Sequence, residues 1–361
     1  MSDAHGAARA DAPREGDGPN TRGVAAQLAP VLEAGGPELE RLLGEVDERL
    51  QAVVAGYGDP LAGHGTGTLA AGGKRLRPIL VLLCGAVANR ATPHEHAAGT
   101  DGDRPLVSAG AAVELLHMAT LVHDDVLDRA MLRRGRPTVF SAGGRPAATA
   151  TGDLMFSRAF AELAATADAE AVRTLSRASS ALARGELMQR ADAWRLDVSP
   201  ARYVERCELK TARLFEAACR LGALFASTDR AVADALGAFG ARIGIAFQIF
   251  DDVLDVAGPA ERTGKRRGTD LLDGTVTLPL ILAREREPDL ADLDLREVVT
   301  DPAQAEAVCD RIARSGALGE ARLEALIHVA EAKAALSDIE LSGATRRALD
   351  RVADGVVERY S

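Results

Sequence analysis

The pentapeptide Asp-Asp-Val-Leu-Asp occurs twice in this chain, as Asp124, Asp125 and Asp128 with their spacers and again as Asp251, Asp252 and Asp255. Each copy follows an apolar stretch, Ala119-Thr120-Leu121-Val122-His123 before the first and Ile245-Ala246-Phe247-Gln248-Ile249-Phe250 before the second. Carboxylates are rarely buried without a partner, because desolvating a charge is costly. Two solvated acidic turns would not need apolar flanks, nor be repeated, so the pattern asks for cations. Aspartates four apart share one face of a helix. Asp124 therefore points with Asp128, and Asp251 with Asp255. Facing each other across a cavity, the two clusters would hold hard divalent cations. Mg²⁺ takes a few carboxylates, some waters and the phosphate oxygens of a substrate.

The bulk properties narrow the field. The 361 residues are 47% hydrophobic and 27% charged, enough core material for a globular protein. Aromatics are only 3%, so aliphatic side chains must fill the interior. A net charge of −10 with no basic stripe argues against nucleic acid as a partner. No apolar run is expected to span a bilayer, which takes about 18 residues, so no transmembrane segment is expected. Residues 1–23 have no apolar core of a signal peptide and read as a disordered tail. Cys84, Cys207, Cys219 and Cys309 lack metal or disulfide spacing and read as buried thiols of a cytoplasmic protein.

From about Val24 onward the pattern is helical, with apolar residues three and four apart, as in Leu32, Leu39, Leu42, Val46 and Leu50. Long segments follow over residues 111–131, 153–166, 169–195, 200–226 and 231–256, broken by Gly/Pro loops. No strand-like alternation is sustained. The expectation is one all-α domain over residues 24–361, about a dozen helices in a bundle. Residues 91–103 read as a flexible insertion, in which His94 and His96 are solvated rather than metal ligands.

Lysine usage carries chemistry. Of 43 basic residues only Lys74, Lys210, Lys265 and Lys333 are lysine. A lysine that survives in an arginine-rich chain marks a place where a compact point charge is wanted. Gly72-Gly73-Lys74-Arg75-Leu76-Arg77-Pro78 precedes an apolar helix. Glycines admit a close ligand and a helix N-terminus favours anions, so three basic side chains there would clamp a diphosphate. Arg133-Arg134-Gly135 follows the first acidic cluster, where it would reach phosphates bound to the cations. His117 lies two turns before Asp124 on the same face, while His123 reads as a packing residue. Lys210-Thr211 interrupts a helix, Gln248 shares a face with Asp251, and Lys265 follows the second cluster by a short loop.

Together these residues resemble the trans-polyprenyl diphosphate synthases. The resemblance runs some 200 residues, from the Gly-Gly-Lys-Arg-Leu-Arg-Pro stretch through Glu114-Leu115-Leu116-His117, Gly152-Asp153, Gly185-Glu186 with Gln189, and Gly268-Thr269-Asp270 to Thr277-Leu278-Pro279. It implies an all-α homodimer whose helices surround a deep central cavity. It further implies that Asp124, Asp128 and Asp251, with Asp125, Asp252 and Asp255 in the same motifs, hold Mg²⁺ and an allylic prenyl diphosphate. Arg133, Lys210, Thr211, Gln248 and Lys265 would support that diphosphate. Lys74, Arg77, His117 and Arg134 would hold isopentenyl diphosphate. Thr275 stands where many members of the family have a lysine.

The implied chemistry is ionisation of the allylic diphosphate, attack by isopentenyl diphosphate on the carbocation, and loss of a proton, in a dry apolar site. Ala119 and Thr120 lie one turn deeper than Asp124. Both are small where short-chain members carry an aromatic, which implies a product of roughly C30 to C50. The alternatives are a shorter-chain farnesyl or geranylgeranyl diphosphate synthase, or a terpene cyclase of the same fold, against which the two complete motifs weigh. A non-catalytic subunit would have lost the aspartates.

Overall fold

The computed structural model describes residues 28–70, 73–87, 104–258 and 267–358. The expected N-terminal tail, the His94 loop and Lys265 lie outside the described residues. In chain order the helices are α1 (residues 28–35), α2 (Pro37–Ala55), α3 (Leu61–Ala70), α4 (Leu76–Gly85), α5 (Arg104–Leu127), α6 (Val139–Ala164), α7 (Ala169–Asp192) and α8 (Pro200–Cys207). A π-helical turn, Glu208–Ala212, joins α8 to α9 (Arg213–Phe225), and α10 (Arg230–Ala257) follows. The chain ends through α11 (Thr269–Leu272), α12 (Leu278–Arg286), α13 (Pro288–Ala291), α14 (Leu295–Val298), α15 (Pro302–Arg314), α16 (Ala317–Ala335) and α17 (Gly343–Glu358). Among the described residues the strands are one two-residue ribbon, β1 (Leu132–Arg133) paired antiparallel with β2 (Arg136–Pro137). The all-α expectation holds.

The helices start where short polar side chains satisfy orphan backbone N–H groups. Asp168 accepts from the amides of Glu170 and Ala171, Ser199 from Arg202, and Asp229 from Val232. Helix α6 begins earlier than the periodicity suggests. It reaches back to Thr138, which caps Ser141, and passes a kink at Gly144 with φ of 72°. Pro146 sits just after that kink, where its missing N–H costs little, so it does not terminate the helix.

One buried apolar cluster runs from Val31 to Val356, and a smaller one joins α5 to α6 through Met118, Ala119, Val122, Ala148 and Met155. Helix α5 packs chiefly on α6, and α10 on α9 and α16. Against expectation, α5 and α10 are each long and apolar enough to cross a bilayer. They are core helices instead: in its most apolar stretch α5 is 72% buried by the rest of the bundle. A helix apolar on all sides belongs in a core as readily as in lipid. These same two helices carry the aspartate motifs. All four cysteines are buried and unpaired, as expected.

Candidate active site

The two motifs border one cavity. Asp128 at the end of α5 and Asp252 on α10 both line a cleft of about 120 Å³, with Gln189, Tyr203, Arg206, Lys210, Gln248 and residues of the loop after α11 completing the wall. One member of each motif thus lines the cleft, whereas Asp124, Asp251 and Asp255 are not among its lining residues.

Within the first motif each carboxylate has a different setting. Asp124 is pushed up to about 6, chiefly by burial, with the Lys210 ammonium opposing and Glu186 and Asp128 adding to the rise. Asp125 is buried and accepts from Arg133 Nε at 2.9 Å and from its Nη2 at 2.8 Å. Asp128 accepts from Arg190 Nη2 at 2.6 Å. Among the described residues no three acidic, imidazole or thiol groups converge on one point. The carboxylates reach instead for guanidinium groups, as uncompensated acids must.

The second motif is arranged around hydrogen bonds. Asp251 is exposed. Asp252 is buried and pushed up to about 7 by desolvation, opposed by hydrogen bonds from Tyr203 and Gln248. Asp255 accepts from the backbone amides of Thr269 and Asp270, each at 3.2 Å, and so caps the short helix α11.

Lys210 and Thr211 lie in the π turn, the interruption expected from the sequence. Such turns are favoured at functional sites because they re-aim consecutive side chains. The turn is clasped between two glycines: a Cβ on Gly185 of α7 would meet Lys210 N at 2.5 Å, and one on Gly244 of α10 would meet Ala212 Cα at 2.5 Å. Lys210 Nζ donates to Glu186 Oε2 at 2.6 Å, and Asp124 and Glu186 together hold the half-buried ammonium charged. Thr211 Oγ1 donates to Gln248 Oε1 at 2.7 Å.

A second basic group lies at the N-terminus of α4. Arg75 adopts φ of 47°, and its Nε donates to Asp47 at 2.8 Å and its Nη1 to Glu114 at 2.9 Å. The expectation of three clamping side chains is therefore corrected: Arg75 is an anchor between α2 and α5. Arg77 stacks over the Phe215 ring at 4.5 Å, and burial lowers it to about 10. Arg134, in the β-ribbon turn with φ of 53°, approaches Gly73, whose missing Cβ would sit 3.3 Å from its Nη1. His117 is held well below its usual range, first by burial and then by Arg77, Arg134, Arg133 and Arg75. Of these, Arg75 and Arg133 already pair with carboxylates. His123 faces Asp153 at 3.2 Å, with room made by Gly152, in keeping with a packing role. Ala119 is fully buried, and Thr120 donates its hydroxyl to His117 O at 2.7 Å.

Sequence reasoning missed Arg190, Tyr203 and Arg206. Each acts on a group far along the chain, and no local pattern marks them.

The chain matches the polyprenyl synthetase family over residues 61–315. It is 37% identical over 311 residues to heptaprenyl diphosphate synthase component 2 of Geobacillus stearothermophilus, covering 83% of this chain and 94% of that protein. It is 34% identical over 296 residues to geranylgeranyl diphosphate synthase of Methanosarcina mazei, covering 80% of this chain and 86% of that protein. Among solved structures, a polyprenyl synthase from Caulobacter crescentus complexed with calcium and isoprenyl diphosphate superposes with a TM-score of 0.77 at 34% identity, covering 97% of this chain and 100% of that one. Heptaprenyl diphosphate synthase from Staphylococcus aureus gives a TM-score of 0.81 at 27% identity, covering 90% of this chain and 99% of that one. With two aspartate motifs on one cavity and a basic cluster beside it, the chain belongs to the polyprenyl synthetase family and is a prenyltransferase.

Proposed function

We propose that this protein is a Mg²⁺-dependent, homodimeric trans-polyprenyl diphosphate synthase that adds isopentenyl diphosphate to an allylic prenyl diphosphate and forms products of about C30 to C50. The observation that carries the reading is the shared cavity, bordered by Asp128 of the first motif and Asp252 of the second, with Lys210 and Gln248 between them. Its acidic, oxygen-rich lining fits Mg²⁺ rather than a soft metal. Asp128 of that lining, with Asp124 and Asp251 as the resemblance implies, would hold it. Bound there, Mg²⁺ supplies Lewis-acid stabilisation of the charge that grows on the departing diphosphate.

The chain's own residues do the rest. Lys210, Arg133 and Gln248 orient the allylic diphosphate and offset its charge, the role the resemblance also gives Lys265. Lys74, Arg77, Arg134 and His117 hold isopentenyl diphosphate, whose double bond then faces the allylic carbon. The aliphatic walls of α5 and α6 exclude water from the carbocation. Small side chains at Ala119 and Thr120, where short-chain members of the family carry an aromatic, support a long product. The heptaprenyl activity in the names of two relatives supports a long product. The words "component 2" in one of those names also admit a hetero-oligomer.

The test is chromatography of the products made from isopentenyl diphosphate and each allylic primer. A ladder ending between C30 and C50 is expected. A product that stops at C15 or C20 refutes the long-chain reading, and a cyclised hydrocarbon refutes the transferase reading.

A further inference from the structure

Tyr203 on α8 is fully buried, yet it forms part of the cavity wall. Its hydroxyl donates to Asp252 Oδ2 at 2.7 Å. Asp252 Oδ1 accepts from Gln248 Nε2 at 2.8 Å. Gln248 Oε1 in turn accepts from Thr211 Oγ1 at 2.7 Å. The four side chains come from three pieces of the fold, α8, the π turn and α10, and form one continuous relay. The guanidinium of Arg206, one turn along α8, lies 5.3 Å from the Tyr203 ring centroid and donates to Val276 O, which fixes the ring's surroundings.

The direction of donation matters. The two ends of an amide are nearly equal in size, so only its partners decide which end points where. Both Asp252 oxygens accept here, one from Tyr203 and one from Gln248. With Asp252 held by Tyr203, Gln248 must turn its nitrogen toward Asp252 and its oxygen toward Thr211. The second N–H on that nitrogen then remains for the cavity that Gln248 lines. A flipped amide would offer an oxygen to an anion instead. We propose that Tyr203 is a positioning residue: through Asp252 it fixes the Gln248 amide so that the cavity presents an N–H donor to the allylic diphosphate.

This inference rests on the reading that the cavity holds that diphosphate, so its test does not depend on turnover. The probe is inorganic pyrophosphate with Mg²⁺, titrated calorimetrically into the full chain. Tyr203→Phe removes one hydroxyl and is expected to weaken binding roughly tenfold, the scale of one lost hydrogen bond to a charged group. Asp252→Leu removes both acceptor oxygens, breaks the same link from its other end and is expected to do likewise, which keeps the test open if Tyr203→Phe fails to fold. In a Gln248→Ala background, Tyr203→Phe is expected to cost nothing further, because coupled residues are not additive. In turnover, KM for the allylic primer should rise while KM for isopentenyl diphosphate stays within about twofold, a split that general destabilisation would not produce. Wild-type affinity in Tyr203→Phe, or a full additional loss in the Gln248→Ala background, overturns the proposal. If wild type binds pyrophosphate but makes no prenyl diphosphate, the proposed function fails, while the titration still decides the role of Tyr203.

Discussion

Lys210 Nζ lies 2.6 Å from Glu186 Oε2, an ion pair that ties the π turn to α7 beside the first aspartate motif. The same ammonium faces Asp124 and works against the rise that burial imposes on that carboxyl. Replacing Lys210 by Ala should therefore do two things. On the proposed assignment it removes a contact to the allylic diphosphate, and it takes the ammonium from Glu186 and Asp124, leaving Glu186 with Arg190. A rise in KM for the allylic primer of roughly tenfold or more is expected, since a charged hydrogen bond contributes about 1.5–3 kcal/mol. Steady-state kinetics with each substrate varied in turn would show it. An unchanged allylic KM would remove Lys210 from that site.

The basic cluster on the other side of the site makes a separate prediction. Lys74→Ala should raise KM for isopentenyl diphosphate about tenfold and leave that for the allylic primer nearly unchanged. An effect confined to the allylic primer would mean that the two diphosphates are assigned to the wrong ends of the site.

Arg75 predicts stability rather than rate. Glu114 is buried and holds Arg75, which also reaches Asp47. Glu114→Ala leaves that guanidinium with Asp47 alone and should cost about 1.5–3 kcal/mol in denaturant unfolding, the scale of a lost hydrogen bond to a charged group. A loss within about 0.5 kcal/mol, the usual range of a surface change, would contradict the anchoring role.

The pH dependence follows from His117. Its pKa is lowered in the folded state by burial and by the surrounding guanidinium groups. The unfolded chain, with an imidazole near 6.5, binds protons first on acidification. The His117 contribution to stability is thus fully present above about pH 6.5 and is lost as the pH drops below it, while Asp124 and Asp252, raised by burial, act in the opposite direction. His328, lowered by burial and by Arg242, adds in the same direction as His117. Unfolding free energy should fall less from pH 7.5 to 5.5 in His117→Gln than in wild type. Identical differences would exclude His117 as a contributor.

Much of this site was legible because its signals are local. Repeated aspartates, a glycine-flanked basic run and a lysine-poor composition each mark their own neighbourhood, and helical periodicity places them. The failures are long-range. Arg75 looked like a third clamp residue because Asp47 and Glu114, its partners, lie 28 and 39 residues away. Tyr203 is invisible in sequence because its significance depends on Asp252, 49 residues on. Asp255 reads as a cavity acid by helical phase, yet its oxygens meet the first amides of α11, a one-turn helix that no periodicity announces.

The central claim is that the two aspartate motifs act together on one cation-dependent reaction. Turnover of isopentenyl diphosphate with an allylic primer, measured for wild type, Asp124→Ala and Asp251→Ala with and without Mg²⁺, tests it most directly. Each substitution should lower the rate by several orders of magnitude, and EDTA should abolish it in wild type. A near-normal rate in either variant, or condensation that survives complete chelation, would contradict the account.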